Sequence, residues 1–150
     1  MSKSTRENAI LFLQQMTKVT LALKGYMRQK FKAHNVDITF EMLQVLRFLW
    51  EKESCNQQEI ATAINKDKAS LTYLLDNLGR RNLVLRTEDS QDRRNKIITL
   101  TQEGRELESL ITPWLEEMYG LVAENVSAGD LATSLHTFET IYKNIQNKAE

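Results

Sequence analysis

The sequence predicts a mainly α-helical chain with one small β-hairpin, and three observations lead to this prediction. The 150 residues include one proline and five glycines, so little interrupts long helices. Apolar residues recur at steps of three and four over most of the chain, which is the spacing of an amphipathic helix. Between residues 83 and 100 the pattern changes to two short strands around a polar turn. A chain of this length, 41% hydrophobic, can bury a core of its own.

Composition excludes several classes of protein. Cys55 is the only cysteine and cannot form an internal disulfide, which favours a reducing cytoplasm. No stretch contains the 18 or so uncharged apolar residues of a membrane span. The N-terminal residues lack the apolar segment of a secretory signal. We therefore expect a cytoplasmic protein with no membrane partner.

The formal net charge is zero, but the charges are unevenly distributed. Residues 1–65 hold nine basic and six acidic side chains, residues 66–96 hold eight and five, and residues 101–150 hold three and nine. Screening over about 8–10 Å allows a locally positive face to meet phosphate in a neutral protein. The central block is thus a candidate nucleic-acid surface, although an ordinary solvated surface could give the same counts.

The first two helices are predicted from their apolar residues. Residues 5–33 form one long amphipathic helix, with more apolar residues than a lone surface helix needs. Thr39 is a candidate N-cap for a second helix that ends near Trp50. The second helix is strongly apolar, so we expect it to lie at the centre of the core.

Two further helices follow closely. Asn56 and Glu59 have the spacing of a capping box at the start of a short helix. The connection 65–67 then leads into a helix that ends near Arg81, and Asn82 stands where a helix often ends in the left-handed conformation. The predicted inner face of this helix consists of Leu71, Leu74, Leu75 and Leu78.

The last third of the chain begins with the hairpin. Residues 83–87 and 96–100 are its predicted strands, separated by an eight-residue polar turn. Thr101 is a candidate N-cap for a helix that continues past Pro113, which should bend it. A final helix over 128–147 has a heptad-like apolar seam. The seam consists of Leu131, Leu135, Phe138, Tyr142 and Ile145.

Helix, short helix, exposed helix and hairpin, in this order, make a helix-turn-helix with a wing. A helix that packs by its leucine face leaves the opposite face free, and the major groove of B-DNA, about 12 Å wide, admits one α-helix. Arginines at the wing tip can reach phosphates or a narrow minor groove. We predict that double-stranded DNA is bound by Lys66, Lys68, Ala69, Ser70, Thr72, Tyr73, Arg93, Arg94 and Lys96.

Residues 39–104 resemble the winged-helix core of the MarR family of bacterial transcription regulators. The stretch from Asp92 to Thr101 matches the wing motif of that family, D-x-R-x5-L-T, and Gly104 follows as in L-T-x-x-G. Upstream, the segment 74–78 resembles the recognition helix of the family. The flanking helices match in length and pattern, so the resemblance spans essentially the whole chain.

The resemblance implies roles for several of these residues. Asp92 and Arg94 would form an ion pair that shapes the wing, with Arg94 directed toward the minor groove. Two positions depart from the family pattern. Asn82 replaces the usual glycine, which we expect to be neutral, and Tyr73 stands where the family often has arginine, which leaves the base preference there open. The major-groove face would carry Lys68, Ser70, Thr72 and Tyr73.

The resemblance also implies a homodimer in which N- and C-terminal helices interleave. The surplus apolar surface needs a partner, although core packing within one chain would produce the same stripes. We therefore predict a dimerisation helix at 5–33, a winged helix-turn-helix core at 38–100 and C-terminal dimerisation helices at 101–150. The family further suggests a small aromatic or anionic effector. Its pocket could be lined by Phe12, Tyr26, Phe31, Phe48 and Trp50, for which plain core packing is the alternative.

The predicted function is a ligand-responsive repressor that acts as a dimer on a pseudo-palindromic promoter site. One alternative is a winged-helix module that binds another protein. Another is a redox-sensing regulator that uses Cys55, although the sequence places no positive charge beside this thiol to lower its pKa. His34 and His136 are isolated and no catalytic set converges, so we expect no enzyme activity, metal or cofactor.

Overall fold

The computed structural model describes residues 2–92 and 94–149. The chain divides into two compact units, Met1–Trp114 and Leu115–Glu150. The elements in chain order are α1 (Lys3–Ala33), α2 (Phe40–Lys52), β1 (Ser54–Asn56), α3 (Gln57–Ala63), α4 (Lys68–Arg80), β2 (Val84–Glu88), β3 (Lys96–Leu100), α5 (Gln102–Ala123) and α6 (Ala128–Ala149). This order confirms the predicted fold class, mainly helical with a small sheet.

The first unit contains a three-stranded antiparallel sheet in the order β1-β3-β2. β2 and β3 form the predicted hairpin, with Glu88 opposite Lys96 at the end nearer the turn. β1 pairs with the other edge of β3, where Cys55 lies opposite Ile98. The sequence analysis did not predict β1, because its three residues have no alternating apolar pattern.

Helix ends in the first unit confirm the predicted caps. Thr39 caps α2, and Asn56 and Glu59 form both hydrogen bonds of the capping box, at 2.9 and 2.8 Å. Asp67 caps α4. Asn82 follows that helix with a φ of 55°, the left-handed conformation that asparagine tolerates better than most residues. These caps fix where α3 and α4 begin and so how the two helices are oriented.

The core of the first unit lies between α2, α4 and β3. Its fully buried side chains include Leu43, Leu46, Leu49, Leu71, Leu75, Leu78 and Ile98. The C-terminal part of α1 joins this core through Met27 and Phe31, both buried. An ion pair between Lys24 Nζ and Glu41 Oε1, at 2.6 Å, also connects α1 to α2. The winged region therefore has a complete core within one chain.

The start of α5 is joined to the base of the hairpin by short backbone contacts. Thr101 donates its hydroxyl proton to the Asn82 carbonyl at 2.6 Å and accepts the Gly104 amide at 3.0 Å, which confirms the predicted cap. A Cβ on Gly104 would lie 2.1 Å from the Leu83 carbonyl oxygen, so glycine is required there. Trp50 Nε1 donates to the Gly104 carbonyl at 2.9 Å. The L-T-x-x-G motif thus has a structural role in this chain.

The second unit contains the end of α5 and the whole of α6. α5 is continuous through Pro113. In α6 the apolar seam is exposed rather than buried. Its exposed members are Leu135, Phe138, Tyr142 and Ile145. Among the residues that the structure describes, no helix combines the length and the apolar character that a membrane span requires.

Candidate nucleic-acid interface

Polar side chains from α3, α4 and the hairpin meet in one cleft of the first unit, with a volume of about 350 Å³. Four of its lining residues are cationic and none is acidic, so the cleft suits a polyanion. It is lined by Asn56, Gln57, Gln58, Ala61, Lys68, Thr72, Arg86, Arg94, Asn95 and Lys96. The structure therefore brings the beginning of α4 together with the wing, as the sequence predicted.

A second depression along α4 contains the other predicted contacts. Its volume is about 560 Å³, and it is lined by Lys66, Ala69, Ser70, Tyr73 and Leu74 together with Thr39 and Glu41 at the N-terminal end of α2. Tyr73 is 66% exposed, whereas the leucines of the same helix are buried. The predicted DNA-binding residues of α4 are thus divided between two neighbouring depressions on its open side.

Two hydroxyl groups on α4 have hydrogen-bond partners within the protein. The Asp67 carboxylate accepts two hydrogen bonds from Ser70, one from its backbone amide at 2.8 Å and one from its hydroxyl at 2.7 Å. These two bonds, the amide first, lower the pKa of Asp67. Thr72 donates its hydroxyl proton to the Lys68 carbonyl at 2.8 Å and accepts from Gln57 Nε2 at 2.8 Å. Both hydroxyl protons are therefore used internally, and these groups can only accept hydrogen bonds from a ligand.

The wing tip has a different contact from the predicted ion pair. Asp92 Oδ1 accepts the backbone N–H of Arg94 at 3.0 Å, and the Asp92 carbonyl accepts that of Asn95 at 2.9 Å. A spacing of two residues in a tight turn brings the amide to the carboxylate. The ion pair itself stays a prediction. Arg94 lines the cleft, and Arg93 lies outside the described residues.

Two cations of the cleft have acidic partners. Lys96 Nζ lies 2.8 Å from Glu88 Oε1, its neighbour across the hairpin. Arg86 Nη1 lies 3.1 Å from Asp76 Oδ1, which connects β2 to α4. Exposed pairs contribute little stability, but they hold the two side chains in place. The sequence places Arg86 in the basic block but does not predict that it lines this cleft, because only the folded structure brings β2 there.

Cys55 is a buried side chain of β1, 5% exposed. Burial, with a smaller effect of the Glu59 carboxylate, raises the pKa of the thiol to about 11, and Lys52 opposes this only weakly. A protonated, buried thiol is a poor nucleophile at neutral pH. The surroundings of Cys55 therefore do not favour the redox-sensing alternative.

The five aromatic residues predicted for an effector pocket have different surroundings. Phe31 packs in the core against Trp114, with ring centroids 6.3 Å apart. Trp50 is hydrogen-bonded to α5, and Phe48 lies 5.5 Å from the Lys52 ammonium group. Phe12 and Tyr26 are half-buried residues of α1. Phe31 and Trp50 therefore contribute to core packing, and a shared pocket remains a prediction.

The two histidines belong to different parts of the chain, with His34 at the end of α1 and His136 in α6. His34 Nδ1 lies 2.9 Å from the Lys30 carbonyl, and its ring lies 4.5 Å from that of Trp114. His136 is a residue of α6. In the described part of the chain, no three His, Cys, Asp or Glu side chains cluster as metal ligands would.

Known proteins are similar to this chain in sequence and in fold. A family model described as the MarR family matches residues 38–96. The homoprotocatechuate degradative operon repressor of Escherichia coli is 30% identical over 118 residues, which cover 79% of this chain and 78% of the relative. The HTH-type transcriptional regulator SarZ of Staphylococcus aureus is 28% identical over 114 residues, 74% of each chain. A solved S. aureus MepR–DNA complex aligns with a TM-score of 0.79 at 25% identity, over 96% of this chain and 98% of that chain.

Proposed function

The chain belongs to the MarR family of transcription regulators, and from this premise we propose that it is a homodimeric repressor that binds a pseudo-palindromic promoter duplex and is released by a small ligand. The observation that carries the proposal is the cationic cleft where α3, α4 and the wing meet. The open face of α4 suits the major groove, while the wing beside it reaches the flanking backbone. The E. coli relative is named as an operon repressor, which supports the direction of regulation.

The contacts with DNA divide into two kinds. Lys68, Arg94 and Lys96 line the cleft and would neutralise phosphates, which sets the register without reading sequence. Lys66, Ala69, Ser70 and Tyr73 lie along the second depression, where Tyr73 has the exposure needed to reach a base edge. We also propose that Arg93 contacts DNA, because it is a residue of the wing motif.

A second copy of the chain would cover the exposed apolar faces of α1 and α6. The N-terminal half of α1 exposes Ile10, Leu11, Leu13, Met16, Val19 and Leu21. Soluble monomers rarely expose large continuous apolar patches, so we propose that these helices dimerise the protein. The organisation is then an N-terminal dimerisation helix at 5–33, the DNA-binding core at 38–100 and C-terminal dimerisation helices at 101–150. Two cores would meet half-sites about 34 Å apart.

Release by a small aromatic or anionic effector would follow from a change in the spacing of the two α4 helices. The ligand releases DNA only to the extent that it binds more tightly to a dimer whose two α4 helices are spaced unsuitably for the two half-sites. The aromatic residues predicted for the pocket are the first positions to test. They are Phe12, Tyr26, Phe31, Phe48 and Trp50.

The proposal is tested by selecting duplexes bound by the full chain from a random pool. We expect a consensus with two-fold symmetry, and a binding constant that falls steeply as salt rises because several cations displace counterions. Arg94→Ala should weaken binding to all sequences. It should also reduce the slope of the logarithm of the binding constant against the logarithm of the salt concentration by about one for each chain that loses a phosphate contact. Lys52→Ala, which removes an exposed cation of α2 that lines neither depression, is the matched control and should leave binding unchanged. A parent chain that selects no duplex would favour the protein-binding alternative.

A further inference from the structure

A chain of two hydrogen bonds connects the first residue of α3 to the first turn of α4. Gln57 Nε2 donates to Thr72 Oγ1 at 2.8 Å, and Thr72 Oγ1 donates to the Lys68 carbonyl at 2.8 Å. Gln57 and Thr72 are both half-buried and both line the cationic cleft. The sequence analysis assigned Thr72 to the DNA-binding face and did not consider Gln57.

The two bonds fix the orientation of the Gln57 carboxamide. A threonine hydroxyl has one proton, and the Lys68 carbonyl can only accept it. The group that faces the Thr72 oxygen must therefore donate, so the NH₂ of Gln57 points to Thr72 and its Oε1 points away. Within the described residues, neither Oε1 nor the second N–H of Gln57 has a hydrogen-bond partner in the protein. One donor and one acceptor are thus held side by side in the cleft.

A side-by-side donor and acceptor match one base edge. In the major groove, adenine offers the N7 acceptor beside the N6 amino donor, and glutamine pairs with both. The neighbouring groups in the cleft, Lys68 and Arg94, are cations that suit phosphate instead. A neutral carboxamide in the same cleft contributes more to sequence readout than to affinity.

We propose that Gln57 is a specificity-determining residue that reads an adenine in each half-site, and that Thr72 is its positioning residue. This inference rests on the proposed DNA-binding function. It changes the role predicted for Thr72, whose hydroxyl proton is already used and whose effect on base preference passes through Gln57.

The test is duplex selection with the full chain, followed by binding measurements on the parent consensus and its single-base variants. Gln57→Ala should reduce the preference for adenine at one position of each half-site by roughly 5- to 150-fold and leave the other positions unchanged. Gln57→Glu keeps the size of the side chain and should move that preference toward cytosine, whose N4 amino group donates to a carboxylate. If Gln57→Ala fails to fold, Gln57→Glu still tests whether residue 57 reads this base.

Thr72 variants separate positioning from a structural role. Thr72→Val removes the hydroxyl at nearly constant size and should relax preference at the same base position as Gln57→Ala, whereas Thr72→Ser should retain it. Gln44→Ala is the matched control, because Gln44 is a half-buried glutamine of α2 that lines neither depression. It should leave the consensus unchanged.

Three results would overturn the inference. Gln57→Ala could keep the parent consensus, it could weaken binding to every duplex equally, or Thr72→Val could act at a different base position. In each case the parent still selects a consensus, so the proposed function stands and only the role of Gln57 fails. A parent chain that selects no consensus would overturn both.

Discussion

Helices α4 and α6 have the same spacing of apolar residues, yet α4 buries its apolar face and α6 exposes it. In α4, Leu71 and Leu78 are fully buried, whereas in α6 Leu135 is 70% exposed and Ile145 is 61% exposed. Steps of three and four residues predict that a helix has an apolar face but do not identify what covers it. The core of the winged region is formed within one chain, whereas the apolar face of α6 would be covered only in the dimer that we propose.

Matched leucine substitutions are the most direct way to break this comparison. Leu71→Ala should lower the free energy of unfolding by about 2–5 kcal/mol, because it leaves a cavity in the core. Leu135→Ala should change the intrinsic stability by less than about 0.5 kcal/mol and should instead weaken self-association. Urea unfolding over a series of protein concentrations, with sedimentation, distinguishes the two. Equal, concentration-independent costs would mean that α6 is covered by its own chain.

Cys55 tests how completely the core excludes water at the sheet. The raised pKa, about 11 against an ordinary value of 9.0, lowers the thiolate fraction about 100-fold in the folded protein. Iodoacetamide should therefore modify Cys55 at least about 100-fold more slowly at neutral pH than in urea. Because the folded pKa is raised, the stabilising contribution is full below pH 9 and is lost as the pH rises toward 11. Equal alkylation rates in both states would contradict this.

Two glycine substitutions compare a crowded backbone position with an open one. Gly104→Ala places a Cβ 2.1 Å from the Leu83 carbonyl oxygen and should cost about 1–3 kcal/mol of unfolding free energy. Gly120→Ala has nothing within 4 Å of the added carbon and should stabilise its helix by up to about 1 kcal/mol. Thermal unfolding of both variants measures the difference. A neutral Gly104→Ala would show that α5 does not approach Leu83 so closely.

The ion pair between α1 and α2 should have the smallest effect. Lys24, mainly through its hydrogen bond, lowers the pKa of Glu41. Glu41→Gln should cost less than about 1 kcal/mol at neutral pH, since the pair is partly exposed. A lowered pKa means that the contribution is present above pH 4.5 and is lost as the pH falls, so the variant and parent should converge in acid. A difference between variant and parent that grows in acid would contradict the assignment.

Signals between near neighbours in the sequence predicted much of the fold. Asn56 and Glu59 marked the start of α3, Asn82 the end of α4 and Thr101 the start of α5. Each depends on residues within about four positions, so the sequence alone contains the necessary pattern. The same applies to the hairpin, whose two strands are adjacent in the chain.

Features that depend on distant residues were missed or given another role. Ser54–Asn56 form β1 because they pair with the free edge of β3, and no local sequence pattern predicts this pairing. Gln57 meets Thr72 only after α3 packs on α4, so the use of the Thr72 hydroxyl could not be foreseen. The Asp92 contact is local by comparison, since its carboxylate accepts the backbone amide of Arg94 two residues later in the same turn.

The position of β3 between β1 and β2 also has a consequence for biosynthesis. β1 precedes α3, but its pairing partner follows the wing turn, so the sheet cannot close until the ribosome has translated β3. Pairing across such a separation is slow, because loop-closure entropy must be overcome first. A nascent chain stalled before β3 would leave the Cys55 strand without its partner. The pairing that covers the Cys55 strand therefore depends on residues translated after the wing turn.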